Sequence, residues 1–549
     1  MLRKTEETFL TVSDPAKKLF QVIYREQKKA KKKDDETPKI SVSELISKMS
    51  FYYEKIRNTV DYKEEHLLRK NAIERILKRQ ILIEGTFRIS DLDPEEISKH
   101  LLTELIRAAY LPNNSIPETK IQEISVVIKK YLDLKNEILK RKNLNYNEKN
   151  NLGNWVLSLA ASDIEGKVGG SQVDKVIVDY MYDILMKNII LPENSSYKED
   201  NDIQVYIGVY RNFMKFDEEM ITFLLFKFFN SNWQNPNEGQ IKQIALHIEK
   251  IKEEIENQIK HPLLKQYNRI ISRYMVFFTI AKDVISDDPE GVYGSFKKDP
   301  KAFARKIKQK CTSRYQDAKK KLWRAAIRSI LYIFITKSFL AVLLEVPATK
   351  FFGQELDLFA LIVNVSFPAI LLFVIVLFTK MPGEENSKKI VEGVEEIIFN
   401  EKRREEPFRL KVPAERRSGL NFVFTVLYTA TFFMSFGAII WFLNKLNFNF
   451  VSIIIFLFFL AFVSFFSIRI RKNAKELLIV PPRENILSLL SDFFYVPIVL
   501  VGKWLSEKFS RVNVFVFILD FIIEAPFKVL VEVTEEWTKY VKERKDDIQ

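Results

Sequence analysis

The residues able to do chemistry in this chain are a few polar side chains set in apolar surroundings. Asp520, Glu524, Lys528 and Glu532 recur at every fourth position in a stretch otherwise rich in Val, Phe, Ile and Leu. On a helix that spacing draws one narrow charged stripe. Asp492 stands in a similar but less regular segment upstream. Lys337 lies in the middle of the apolar run Ile327–Leu344, and Asn364 lies inside the run Phe359–Phe378. Ionisable groups inside a membrane are costly to bury and mark ion pathways, proton relays or counter-charges. A lysine facing the carboxylates of the C-terminal stripe is the chemistry of a channel or transporter. The same carboxylates at the membrane surface are the solvated side of amphipathic helices.

Other chemistry lacks its pattern. Gly166, Gly169 and Gly170 cluster, but no Gly-Lys-Ser/Thr ending follows them, so a phosphate loop is excluded. His66, His100, His247 and His261 have no metal-ligand partner at the usual spacing. Cys311 stands among cations, which favour a thiolate, but no histidine or second cysteine is near it in sequence. Asp287-Asp288-Pro289-Glu290-Gly291 lacks the regular spacing of a calcium loop and reads as a turn and helix stop. No serine nucleophile elbow occurs. The expectation is therefore no catalytic residue, no metal, no cofactor and no enzyme activity.

The elements that position the polar residues follow from the apolar runs. Phe359–Phe378, Leu420–Phe442 and Phe450–Ile468 carry no formal charge, and each has about the ~20 residues a helix needs to cross a bilayer. Ile327–Leu344 is a weaker fourth candidate. It is broken by Lys337, ends at Glu345 and is followed by Pro347. Spans are thus expected at about 327–344, 359–378, 420–442 and 450–468, within a membrane domain 329–483. Basic residues alternate across them. There are thirteen in 297–328, one in 345–357, ten in 379–419, one in 443–449 and five after the last span. Four crossings with both ends in the cytoplasm satisfy the positive-inside rule. The basic stretch 297–328 is expected to be a juxtamembrane helix. Its Lys319, Lys320, Lys321, Arg324 and Arg328 are candidate contacts for anionic lipid headgroups. Residues 484–549 are expected as amphipathic helices at the interface. A fifth and sixth span is the alternative, but it would place Lys503, Lys508 and Arg511 outside. Met1-Leu2-Arg3-Lys4 is not followed by an apolar run, so no secretory signal is expected. The single cysteine suits a reducing compartment, and a prokaryotic plasma membrane is the expected location.

Residues 1–296 read as an all-α cytoplasmic domain. Val42, Leu45, Met49, Tyr52, Ile56 and Val60 recur at helical spacing, with Ser41 or Ser43 placed to cap the start of the helix. Asp93-Pro94-Glu95-Glu96 and Asp217-Glu218-Glu219 are helix starts: a cap, then carboxylates near the positive end of the dipole. Residues 237–261 and 262–285 read as two helices parted at Pro262. Leu111-Pro112-Asn113-Asn114-Ser115 and Leu191-Pro192-Glu193-Asn194-Ser195 match at an offset of 80 residues, as do the apolar positions before them. This suggests a tandem repeat over 62–115 and 142–195. The net charge of +14 is largely the membrane-flanking sets. No nucleic-acid module is present, so nucleic acid is not an expected partner. The layout suggests a structural or interaction platform held to a bilayer, with a protein partner on the helical domain. A channel or transporter using Lys337 and the C-terminal carboxylates is the alternative.

Overall fold

The computed structural model describes residues 11–31, 37–58, 64–81, 93–193, 195–298, 300–353, 357–412, 418–480 and 486–511, with isolated positions from 533 to 545. Of the described residues 81% are helical, which gives the all-α class. It divides into two compact units, Val12–Met275 with Arg404–Val412 and Val514–Gln549, and Met1–Thr11 with Val276–Arg403 and Pro413–Asn513.

The first unit is built from α1 (Asp14–Lys31), α2 (Glu44–Asn58), α3 (Glu65–Arg79), α4 (Pro94–Arg107), α5 (Thr119–Lys140), α6 (Tyr146–Val168), α7 (Gln172–Asn188), α8 (Asn201–Asn212), α9 (Glu218–Phe229), α10 (Glu238–Ile259) and the start of α11 (Leu264–Asp287). The expected starts are present: Asp93 accepts from the Glu95 amide and Asp217 from the Met220 amide, each at 3.0 Å. Asn145 and Asn237 add reciprocal capping boxes with Glu148 and Gln240. Apolar faces of α3 to α6, α9 and α10 meet around Ile73, Leu101, Leu105, Ile128 and Phe226. The only regular strands among the described residues are β1 (Ile189–Ile190) and β2 (Phe408–Arg409), a two-residue parallel pair. Among the described residues each half of the suggested repeat contains two helices, α3–α4 and α6–α7. Their ends differ: α4 runs into a left-handed Ala109 (φ 58°), whereas α7 runs into extended Ile189.

The second unit takes the end of α11, then α12 (Pro289–Lys298), α13 (Pro300–Leu340), a π turn (Ala341–Glu345), α14 (Val346–Phe351), α15 (Leu358–Leu377), α16 (Glu384–Ile398), α17 (Ser418–Lys445), α18 (Phe450–Lys472) and α19 (Ile486–Arg511). Among the described residues four helices are long and apolar enough to cross a membrane: Lys301–Phe351, Leu358–Leu377, Phe422–Lys445 and Phe450–Lys472. They coincide with the four expected runs. Asn386 ties the unit together. Its amide donates to Tyr315 Oη and the Leu477 carbonyl and accepts from the Ile479 and Val480 amides.

Three boundaries differ from expectation. The units part inside α11, not near residue 296. Arg314 holds Asp283 through two bonds of 2.6 and 2.7 Å, and Phe277 fills the space beside Gly393, so the end of α11 belongs to the second core. The first apolar helix does not stop at Leu344. It continues through Pro347 to Phe351, because proline is tolerated in a first turn, where its missing N–H is not needed. Finally, α19 is packed on the apolar helices. Tyr495 Oη donates to the Ser464 carbonyl (3.0 Å) and lies 3.2 Å from Ser467 Oγ. Seven residues on, a Cβ at Gly502 would meet the Ala461 carbonyl oxygen at 2.0 Å. Rising numbers on α19 therefore meet falling numbers on α18, and the two run antiparallel in close contact. Only glycine allows that approach at 502.

Candidate functional site

The π turn decides which residues of the first apolar helix are buried together. Lys337, Ala341, Glu345 and Thr349 are all nearly or fully buried. On a straight α-helix each four-residue step drifts by about 40°, so this set would spiral off one face by about 120°. The wider turn, in which the Val346 amide donates back to the Ala341 carbonyl, takes up that drift. It keeps all four side chains turned to the bundle, while Ile335, Phe339, Val342 and Leu343 face outward.

Glu345 is the centre of the site. Its Oε1 accepts from Asn364 Nδ2 at 2.5 Å and from Ser452 Oγ at 2.7 Å. Asn364 Nδ2 also donates to the Ser452 carbonyl at 3.3 Å. Asn364 comes from the second turn of α15, whose start is capped by Asp357. Ser452 comes from the first turn of α18, where Asn449 Oδ1 accepts from its amide at 2.8 Å. The carboxylate thus sits against the positive end of α18. Glu345, Asn364 and Lys337 are each 0% exposed. Glu345 Oε2, Asn364 Oδ1 and Lys337 Nζ have no hydrogen-bond partner. Lys337 Nζ instead stands 4.0 Å from the centre of the Phe459 ring, a cation–π contact.

Magnitudes define the character of the site. Lys337 and Glu345 are separated by about 12 Å of helix rise, so at an effective dielectric of ~20 their attraction is about 1.4 kcal/mol. Removing either charge from water costs several kcal/mol. The pair does not close as a direct salt bridge, and two charges stay poised in an apolar setting. Such a centre can bind or release a proton, and its oxygens can face a small cation.

The remaining expected residues divide clearly. Lys319, Lys320, Lys321, Arg324 and Arg328 are exposed on α13, while Leu322 and Ala326 turn inward onto Leu372 and Val376 of α15. Asp492 is exposed on α19. Asp520, Glu524 and Lys528 lie outside the described residues. The structure brings Lys337 and Asn364 into one buried region, and Glu345 with Ser452 completes it. Glu345 falls outside the expected span because Pro347 follows it closely, and Ser452 carries no local signal in an apolar run. The available signal was a second ionisable residue following Lys337 in one apolar stretch.

Several buried polar groups in the first unit form paired sets. Tyr131 Oη accepts from Trp233 Nε1 (2.9 Å) and donates to Asp163 (3.2 Å), which also pairs with Lys130 (2.7 Å). Arg69 grips Glu165 through two bonds of 2.6 and 2.8 Å. These are satisfied tie points of a core. Among the described residues no three His, Cys, Asp or Glu side chains are grouped to hold a metal. Comparison with known families, known proteins and solved structures returned no match.

Proposed function

We propose that the chain is an integral membrane protein of the transport class, moving or sensing a small cation through the Lys337–Glu345 centre. The observation that carries this reading is a lysine, fully buried and without a hydrogen-bond acceptor, in a largely apolar helix bundle. Membrane proteins keep such groups where an ion or proton must pass. Two interruptions beside the site support it: the π turn before Pro347 and Pro368 within α15. Interrupted helices are how many transporters build their binding sites near the bilayer midplane.

The basic loops support a cytoplasmic placement of the helical domain and of the loop around α16. The antiparallel packing of α19 on α18 supports a fifth crossing in place of an interfacial helix. Lys503 there has Glu507 one turn on at 3.7 Å, which tempers the charge placed outside. The test is flux. Full-length protein in liposomes, with a trapped pH-sensitive dye and an imposed potential, is expected to move protons, and Lys337→Met is expected to abolish this. Wild-type liposomes no leakier than empty ones would overturn the reading.

A second reading, a membrane-held interaction platform, is favoured by the α13 surface. Five exposed basic residues lie on the same helix as the first apolar run. They suit anionic headgroups at roughly 1 kcal/mol per residue near the surface. Affinity capture of the full chain that returns one reproducible partner, with no flux in liposomes, would select this reading.

A further inference from the structure

The hydrogen-bond bookkeeping around Glu345 does not close for a carboxylate. Asn364 Nδ2 has two hydrogens, and both are committed, to Glu345 Oε1 and to the Ser452 carbonyl. The Ser452 hydroxyl hydrogen also goes to Oε1. Glu345 Oε2 and Asn364 Oδ1 are left, both acceptors, both buried and both unpartnered. The amide cannot be turned round to help, because its nitrogen must face the carboxylate. A primary amide and a carboxylic acid are complementary. The N–H of one donates to the oxygen of the other, and the O–H of the acid donates back to the amide oxygen.

We propose that Glu345 and Asn364 form a proton-binding site, in which one proton on Glu345 Oε2 closes a cyclic acid–amide pair. Its place in transport rests on the function proposed above, but its chemistry does not. The proton comes from water and forms one O–H bond. It turns Oε2 from acceptor to donor, satisfies Asn364 Oδ1 in the same step, and leaves the site neutral in an apolar setting. On release the O–H bond breaks and the proton returns to water. The carboxylate keeps its two bonds at Oε1, the positive end of α18 and the Lys337 ammonium two turns away. Among the described residues, the side chains that the hydrogen bonds place at the site are neutral: Asn364 on α15, Ser452 on α18, Asn449 just before α18, and Thr349 on α14. Asp357 is turned to the amides of its own helix start, and Lys350 is exposed.

Infrared difference spectroscopy across a pH series tests this on the full-length protein in lipid nanodiscs. The expected result is a protonated-carboxyl C=O band that disappears as pH rises. It should be absent in Glu345→Gln, which keeps an amide-to-amide pair and so the fold. In Asn364→Leu the band should persist but shift, because the acid loses its cyclic partner. No band in the wild-type minus Glu345→Gln difference would overturn the proposal. So would a band unmoved by Asn364→Leu, or a transition that follows sodium at fixed pH. If the band behaves as expected and liposomes show no proton flux, the site stands and the transport function falls.

Discussion

Lys337→Met separates a functional lysine from a structural one. A lysine at the centre of a spanning helix costs about 2.5–3.5 kcal/mol on insertion scales. The Phe459 ring returns about 2 kcal/mol to a desolvated ammonium, and Glu345 returns about 1.4 kcal/mol across two turns. These contributions nearly cancel. Methionine keeps most of the stem packing and removes all three, so the bundle should change in stability by no more than about 1 kcal/mol. Glu345→Leu should behave differently. It leaves the Lys337 ammonium with the ring alone, and it strands one Asn364 hydrogen and the Ser452 hydroxyl. At about 1–3 kcal/mol for each of these two buried donors left unpaired, the loss is about 2–6 kcal/mol. The chain supplies its own reporter. Cys311 is its single cysteine and is fully buried, so labelling by a thiol-reactive dye during heating records unfolding of the unit that contains it. The expected outcome is an unchanged unfolding temperature for Lys337→Met with loss of flux, and a clear drop for Glu345→Leu. A drop of similar size for Lys337→Met would refute the reasoning, because the lysine would then be a tie that holds the bundle.

Further outcomes are expected elsewhere. With Cys311→Ala as background, Lys508→Cys should react with an impermeant thiol reagent from the face opposite the basic loops, as a fifth crossing requires, and reaction from the basic side would return α19 to the interface. Arg69→Met should cost about 3–5 kcal/mol in chemical denaturation, since it leaves Glu165 charged and buried, whereas Lys389→Met, which breaks only the exposed pair with Glu392, should cost next to nothing. Burial holds the imidazoles of His66 and His261 below the usual histidine value. Both are therefore neutral in the fold where the unfolded chain would take up protons. Their contribution is complete above about pH 6.5 and is lost as pH falls below it. Unfolding midpoints should decline over that range, and less steeply in the His66→Gln, His261→Gln double variant. A midpoint that rises on acidification would contradict the sign.

The helices, their starts and the four apolar runs were legible in the sequence, because a helix satisfies its backbone within a few residues and its caps are local. Asp93 and Asp217 cap where their spacing says they should, and the basic stretch before residue 328 does continue as one helix into the first apolar run. Two local cues misled. Pro347 reads as a stop because proline cannot continue an ordinary turn, yet the chain widens into a π turn and passes through it. Gly502 reads as one more polar position on an amphipathic helix, and its real use is to admit the Ala461 carbonyl.

The sequence by itself determined an all-helical chain with an apolar set of helices, and it placed Lys337 and Asn364 inside that set. It could not pair them. Glu345 meets Asn364 across 19 residues and Ser452 across 107. Such contacts depend on the rotation and register of three helices, which no local pattern encodes. Tertiary structure decided that a buried carboxylate accompanies Lys337 on its own helix, that one acceptor atom of Glu345 and one of Asn364 are buried there without a hydrogen-bond partner, and that α19 lies along α18. Packing selects one face of each helix for burial, and the polar groups on that face then have only one another for partners.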